Sequence, residues 1–528
     1  MEIKSSKTNN STNGKKISFF GALSIVLGAS IGAGIFFKSK TVLDGAGNNL
    51  IFAIFSWLFA CFVIVAMAFA LIEIASASKK SNLSLISWNK IFNSNFVYQL
   101  SKNFIIYLYL PFTYFVMPVY FVQMFQDSLA AFTLSNNSTL ASNYDWVIVL
   151  IATLAIFYYF LVVGLNTRVA NIHNQVILAF KFLPIIIVVI LGFVFFASNV
   201  GNTLKESPVF DDYKSIINKG ASLEKTLPGV GMFLAMAAIF FTYEGFFTAA
   251  GLQSEMKQPH KTPYAILLGI GITTIIYLLI AIATSIVGNG SITEFLDIAQ
   301  KKLHWSNTLI KTIIGTTNLF VAISILGIIN SFTMWGPRAL EELIQNGEIK
   351  WLVQYKDKTN LSRPLVSTLV IGIVSTFAII ILFLIGVFGF TNSDGNYGQN
   401  LNNLYAFADI SGNWSALITF FLITIAIYGG IKNRKSQKVQ TTKVKYFHLW
   451  AWISIIATFL ILFFAFAVPI IDLFLLIWVD KNVNNYHFLL QTRVTKVVVL
   501  IVFVAMPVIP ILIGKHKLKK TRKTKLKV

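Results

Sequence analysis

Twelve apolar runs, most of them about the 20 residues that an α-helix needs to cross a bilayer, follow one another along the chain and leave little else for it to fold into. They lie at about 18–40, 49–73, 103–128, 146–165, 171–197, 229–253, 263–287, 311–335, 364–390, 403–430, 446–478 and 495–514. The longest segments between them, Ser198–Pro228 and Trp335–Arg363, are about 30 residues, below the ~40 under which chains rarely fold unaided. A mean hydropathy of +0.71, with 56% hydrophobic and 12% charged residues, lies outside the range of soluble globular domains. The expected fold class is an all-α polytopic membrane protein of about 12 transmembrane helices.

The net charge of +22, from 43 Lys and Arg against 21 Asp and Glu, invites a nucleic-acid reading. The placement of the charges argues for a membrane orientation instead. The excess is concentrated in the tail "KHKLKKTRKTKLKV" and the loop "IKNRKSQKVQTTKVK", whereas Gln126–Trp146 carries no Lys or Arg. Twelve spans put both ends of the chain on one side, and the positive-inside rule makes that side cytoplasmic. Residues 1–17 then form a cytoplasmic tail with no evident signal-peptide cleavage site, 18–515 a single membrane domain, and 516–528 a basic cytoplasmic tail. The expected location is the cell (plasma) membrane. A tail that binds acidic lipid or RNA is the competing reading of the basic terminus.

Cys61 is the single cysteine, so no disulfide framework or cysteine metal site forms within the chain. The six histidines are scattered, and HExxH, GxSxG and Walker patterns are absent. These features argue against an enzyme, and no cofactor, metal or nucleic-acid partner is implied.

Two of the runs are weakened in mid-membrane. The first contains "SIVLGASIGAGIFFK", Ser24–Lys38, with Gly28, Gly32 and Gly34; glycine is among the poorest residues for a helix interior. The sixth is apolar except for "TYEG", Thr242–Gly245, which carries Glu244. The first and sixth runs occupy corresponding positions if the chain comprises two five-helix halves, about 18–197 and 229–431, followed by two extra helices at about 446–515. Paired breaks of this kind point to an inverted-repeat transporter with its site at the midplane. Close packing through the GxxxG at Gly28–Gly32 is the alternative, but it leaves the second break and its carboxylate unexplained.

The text at both breaks resembles that of a known family. "GASIGAGIF" at Gly28–Phe36 is similar to the first-helix signature of the amino acid–polyamine–organocation (APC) superfamily of permeases. "FFTYEGFFTAAGLQSEMKQPHKTPYAI" resembles its sixth-helix segment, "NTRVANIHNQVILAFKFLPIIIV" its fourth-to-fifth passage with the K-x-x-P element, and "FTMWGPRALEELIQNG" the segment after its eighth helix. The order matches along nearly the whole chain. Departures are Ala33, often serine in the family, Glu244, often uncharged, and a thin match after the tenth span. The resemblance implies a leucine-transporter-type fold, a five-plus-five inverted repeat with interrupted helices 1 and 6.

A broken helix frees N–H groups at the start of its second half, and the positive end of the dipole favours an anion there. Irregular backbone at that depth is tolerated where it lines a cavity or is buried in protein. The expected substrate-binding residues are Ser30, Ile31, Gly32, Ala33 and Gly34 at the first break and Phe241, Thr242, Tyr243, Glu244 and Gly245 at the second. The resemblance assigns the α-carboxylate to the first break, the α-ammonium to carbonyls near Ser30 and Phe241–Glu244, and an aromatic gate to Phe241; ordinary packing is the competing role for that ring.

Lys181 lies near the middle of the fifth span, where a cation costs at least ~2.5–3.5 kcal/mol on insertion scales and normally has a partner or a task. In the family a lysine at this position takes the place of a sodium ion, which implies proton coupling or a fixed charge in exchangers; a structural lysine on the carbonyls of the broken first helix is the alternative. Three readings of Glu244 stand open: a partner for a cationic substrate side chain such as that of lysine, arginine or ornithine, a proton carrier, or a local cap. Glu255, Glu73 and Asp409 read as interfacial capping or ion-pair residues. The expected function is secondary active transport of amino acids, with proton-coupled uptake first and amino-acid or polyamine exchange second. Its partners are then an amino acid, protons and the lipid bilayer. The competitor from another class is a non-transporting sensor on the same fold.

Overall fold

In hydrocarbon each backbone polar group has to be satisfied within its own segment, so continuous apolar runs become helices. The computed structural model describes residues 17–32, 34–78, 81–133, 144–198, 210–227, 229–287, 300–301, 304–391, 397–481, 483 and 486–525, excepting the side chains of 36, 37 and 514–525. Among these residues, eleven helices are long and apolar enough to cross a membrane. The first expected span adds a twelfth in two halves, α1, Phe19–Ser30 and Gly34–Gly45. The others are α2 (Leu50–Ala75), α3 (Asn95–Phe132), α4 (Asp145–Val163), α5 (Thr167–Ala197), α6 (Val230–Glu255) and α7 (Thr262–Val287). They continue as α8 (Asn307–Gln345), α9 (Leu365–Gly389), α10 (Gln399–Ser436), α11 (Phe447–Trp478) and α12 (Tyr486–Ile513).

All twelve expected runs are helical, in order, and the first and sixth are the broken ones. The sixth is α-helical over Val230–Thr242 and turns into a 3₁₀ segment over Phe246–Glu255. Several boundaries need correcting: α3 begins at Asn95, α10 runs on to Ser436 and α12 begins at Tyr486. Trp335–Gln345, expected at the start of a loop, continues α8. Hydropathy rejects its charges, but the fold satisfies them. Arg338 donates to Gly164 O at 3.0 Å and Met334 O at 2.5 Å. Glu341 accepts from the Ser367 backbone at 2.9 Å, capping α9, and Glu342 from the Asn82 backbone at 2.5 Å.

The halves of the two broken helices pack crosswise. The first half of α1 lies against the second half of α6, and the second half of α1 against the first half of α6. The α3–α8 pair forms the most extensive packing, α7 covers α2, and α5 lies against α1, α7 and α8. This is the pairing expected of two related five-helix units. α11 packs outside them on α2 and α10, and α12 beside the start of α3.

Glu73 at the end of α2 is buried and held bidentately by Arg434 of α10, at 2.7 and 2.6 Å. It also accepts from Val444 N at 3.1 Å, which ties the basic α10–α11 loop down. Removing one partner of such a pair leaves an uncompensated buried charge, so Arg434→Ala is expected to lower stability by about 3–5 kcal/mol. A thermal melt of the purified protein in detergent checks this.

Candidate substrate-binding site

The two breaks meet because small residues let their backbones approach. Gly245 sits at φ +98°, the left-handed region that glycine enters without strain, and a Cβ there would stand 3.1 Å from Ala29 O. A Cβ on Gly34 would stand 3.2 Å from the Thr242 Cα. Between the breaks, Tyr277 of α7 donates to Ser30 O at 2.6 Å or Thr242 O at 2.7 Å, and the Gly32 N–H faces its hydroxyl. One buried hydroxyl thus serves carbonyls freed by both breaks, including those expected to take an α-ammonium.

A small cavity lies at this junction, with about 20 Å³ of room for water centres. That is space for a water or so, not an amino acid, so substrate admission requires repacking. Ser30, Gly32 and Gly34 line it from α1 and Phe241, Thr242 and Glu244 from α6. Met117 and Tyr120 of α3 and Ile325, Ile328 and Phe332 of α8 complete the wall. None of the described lining residues is cationic.

The remaining expected residues sit elsewhere. Ile31 is buried and offers its carbonyl away from the cavity, to Lys181. Tyr243 lies behind the break, where its hydroxyl donates to Thr274 Oγ1 and contacts Cys61 Sγ, both at 3.0 Å. Gly245 forms the turn, and Ala33 lies outside the described residues.

Glu244 is buried, with the Tyr109 and Thr419 hydroxyls beside its carboxyl. Among the described residues, its Oε1 accepts no hydrogen bond and the Ser30 hydroxyl has no partner. A polar atom left without a partner in a dry interior is costly, and both line the same cavity. The local-cap role would need a backbone N–H at this carboxylate, and none of the described residues supplies one to Oε1.

Both approaches to the cavity are closed. On one side Lys38 of α1 pairs with Asp409 of α10, which also accepts from the Tyr120 hydroxyl at 2.8 Å. The Lys38 ammonium lies 5.1 Å from the Phe241 ring centroid, within cation–π range, and the Phe241 and Tyr120 rings meet edge-on at 6.1 Å. Phe241 therefore stands between the cavity and this ion pair. On the other side Arg338 binds Glu255 at 2.5 Å, and Thr167 donates to the same carboxylate at 2.9 Å. Ile17 pairs with the end of α6 through Ile17 N to Glu255 O and Lys257 N to Ile17 O, both at 2.9 Å. Of the capping and ion-pair roles open for Glu73, Glu255 and Asp409, each carboxylate takes an ion pair, with Arg434, Arg338 and Lys38 respectively.

Lys181 is fully enclosed, and its ammonium donates to Gly28 O at 2.6 Å and to Ile31 O. It stitches α5 to the end of the first half of α1 where the helix gives out. Sequence reasoning missed Tyr277, Tyr109, Tyr120, Lys38 and Arg338. Lys38 ends the quoted glycine-rich stretch and Arg338 lies in "GPRALEE", so their charges were visible; a tyrosine in an apolar span carries no comparable signal.

The sequence profile of the amino acid permease family matches residues 17–504. Over 96% of its length the chain is 37% identical to an uncharacterized protein of Mycoplasma pneumoniae, 95% of which is covered. It is 25% identical to the serine/threonine exchanger SteT of Bacillus subtilis, over 61% of this chain and 67% of that one. Among solved structures, MhsT in complex with L-phenylalanine aligns with a TM-score of 0.49 and 13% identity, covering 84% of this chain and 97% of that one. With paired broken helices, a cavity at their junction and a family profile spanning nearly all of it, this chain belongs to the amino acid permease family.

Proposed function

We propose that the protein is a secondary active transporter that takes up amino acids with cationic side chains, coupled to protons, across the plasma membrane with both termini in the cytoplasm. The observation that carries the substrate reading is Glu244, a cavity-lining carboxylate that has, among the described residues, an unpartnered oxygen and no cation beside it in the lining. An ionised carboxylate in a low-dielectric pocket attracts a cation far more strongly than it would in water. The α-carboxylate goes to the N-terminus of the second half of α1 at Gly34, where freed N–H groups and the helix dipole favour an anion. The α-ammonium takes the Ser30 and Thr242 carbonyls now served by Tyr277.

For coupling, the protonated Lys181 clamps the first half of α1 through Gly28 O and Ile31 O. Loss of its proton removes the charge that strengthens both hydrogen bonds, freeing that half-helix to swing with α6 against the α3–α8 scaffold. Outward opening requires Phe241 and the Lys38–Asp409 pair to part; inward opening requires the Ile17, Glu255 and Arg338 contacts to part. Obligatory exchange is the second reading, favoured by the exchanger among the relatives.

The experiment is uptake of a panel of radiolabelled amino acids into proteoliposomes, with and without an imposed inward proton gradient. Saturable, stereoselective, gradient-stimulated uptake of lysine, arginine or ornithine is expected. Uptake only into liposomes preloaded with amino acid selects exchange. No uptake of any amino acid by demonstrably folded protein overturns the transporter reading.

A further inference from the structure

We propose that the seam between α5 and the first half of α1 holds a file of water that carries the Lys181 proton to the face where Glu255 and Arg338 sit, with Asn174 and Asn171 as its positioning residues. The proposal rests on the reading of Lys181 as the proton carrier. Its geometry does not.

Thr167, Asn171, Asn174 and Lys181 fall on one face of α5 at helical spacing. Fourteen residues separate Thr167 from Lys181, about 21 Å of helix rise. Opposite this face, α1 presents glycine. A Cβ on Gly28 would lie 2.3 Å from Asn174 Oδ1, so that amide occupies the space a side chain would fill. Gly28 also gives its carbonyl to Lys181, which places the lysine ammonium and the Asn174 amide on the same residue. One end lower, Asn171 Oδ1 lies 3.7 Å from where a Gly21 Cβ would be.

Asparagines in membrane helices usually serve as glue between helices. Here only the donor half of the amide does so. Asn174 donates to Ser24 O at 3.0 Å, and Asn330 of α8 donates to Ala170 O at 2.7 Å on the same stretch of α5. Those bonds fix the amide orientations of Asn174 and Asn330, and the oxygens remain: among the described residues, Oδ1 of Asn171, Asn174 and Asn330 are all buried acceptors without a donor. Two such acceptors in the seam, with a third beside it on α8, form a pattern that buried water satisfies, since ordered water typically fills sites with several polar partners. Among the described residues no carboxylate contacts the Lys181 ammonium, whose partners are the two α1 carbonyls. The titratable groups at the other end are Glu255 and Arg338, joined there to Thr167.

In the transfer step one N–H bond of the Lys181 ammonium breaks and an O–H bond forms on the water held at Asn174 Oδ1. The lysine is left as a neutral amine, and the excess proton passes along the file and leaves at the Thr167 end. A proton arriving from the substrate side restores the ammonium. The asparagines stay neutral and act by holding water in line.

The test uses the full-length protein in proteoliposomes with a trapped pH dye. Asn174→Leu keeps the shape but removes the acceptor together with the donor bond to Ser24 O; it is expected to lower substrate-coupled proton flux at least tenfold while substrate counterflow stays within twofold of wild type. Hydration is read separately in a Cys61→Ala background, since Cys61 is the single native cysteine. A small cationic methanethiosulfonate applied from the Thr167 side is expected to modify Asn174→Cys and Asn171→Cys but not Val188→Cys, which lies buried on the same face beyond Lys181. Wild-type proton flux in Asn174→Leu, when Lys181→Ala abolishes it, overturns the file and leaves the lysine reading intact. Failure of both cysteines to react also overturns the file. Absence of proton movement in the wild type overturns both.

Discussion

Glu244→Gln is expected to lower kcat/KM for lysine or arginine uptake by about 10- to 100-fold, since a hydrogen bond to a charged group contributes roughly 1.5–3 kcal/mol and each 1.4 kcal/mol is a factor of ten. The substitution keeps the size and one acceptor oxygen, so the effect isolates the charge. Glu244 is buried beside the Tyr109 and Thr419 hydroxyls, and glutamine fits the same space. Any neutral amino acid carried by the wild type should keep its uptake or gain, because its side chain no longer meets a carboxylate. Concentration dependence of uptake for lysine and for one neutral amino acid, in both proteins, is the measurement. Equal retention of lysine uptake would move Glu244 to a structural role. Loss of gradient stimulation with unchanged substrate preference would identify it as the proton carrier.

Lys181→Ala is expected to abolish proton-driven accumulation, leaving uptake insensitive to the outer pH over a range in which wild-type uptake rises as the pH falls. The sign follows from the role: protons drive the wild-type cycle inward, so lowering the outer pH increases the driving force. Substrate counterflow should persist at reduced rate, because the Gly28 and Ile31 carbonyls lose their shared donor and the first half of α1 is less firmly held. Counterflow and gradient-driven accumulation in the same preparation separate the two effects. An alanine variant that still accumulates substrate in a gradient-dependent way would assign Lys181 to structure alone. Insertion of α5 becomes cheaper by at least about 2.5–3.5 kcal/mol in this variant, while two buried carbonyls lose their donor, so a thermal melt of the purified variant is needed to separate loss of activity from loss of protein.

The spans, the two breaks and the buried lysine were legible because each is written in one segment. A run of 26 residues such as Leu50–Ala75 must satisfy its own backbone to enter lipid, whatever its neighbours. A glycine cluster such as Gly28, Gly32 and Gly34 weakens its own helix, and the insertion penalty of Lys181 is borne by α5 alone. The extra length of α8 was illegible for the converse reason. Arg338, Glu341 and Glu342 read as loop by hydropathy, and they are helical because Gly164, Ser367 and Asn82, from elsewhere in the chain, receive or supply their hydrogen bonds.

The candidate site divides in the same way. The sequence by itself determined which backbone would be irregular and that a carboxylate stood in the second break. Which of Phe241, Thr242, Tyr243, Glu244 and Gly245 line the cavity was decided by packing, with Tyr243 against Cys61 of α2 and Glu244 beside Tyr109 of α3. The hydroxyl of Tyr277 between the breaks and the pairing of Lys38 with Asp409, 371 residues apart, were decided only by the tertiary structure. The physical reason is that lipid supplies no hydrophobic preference between helix faces. Which faces meet is set by close packing and by the need to satisfy polar groups across helices, and both exist only once the helices have assembled.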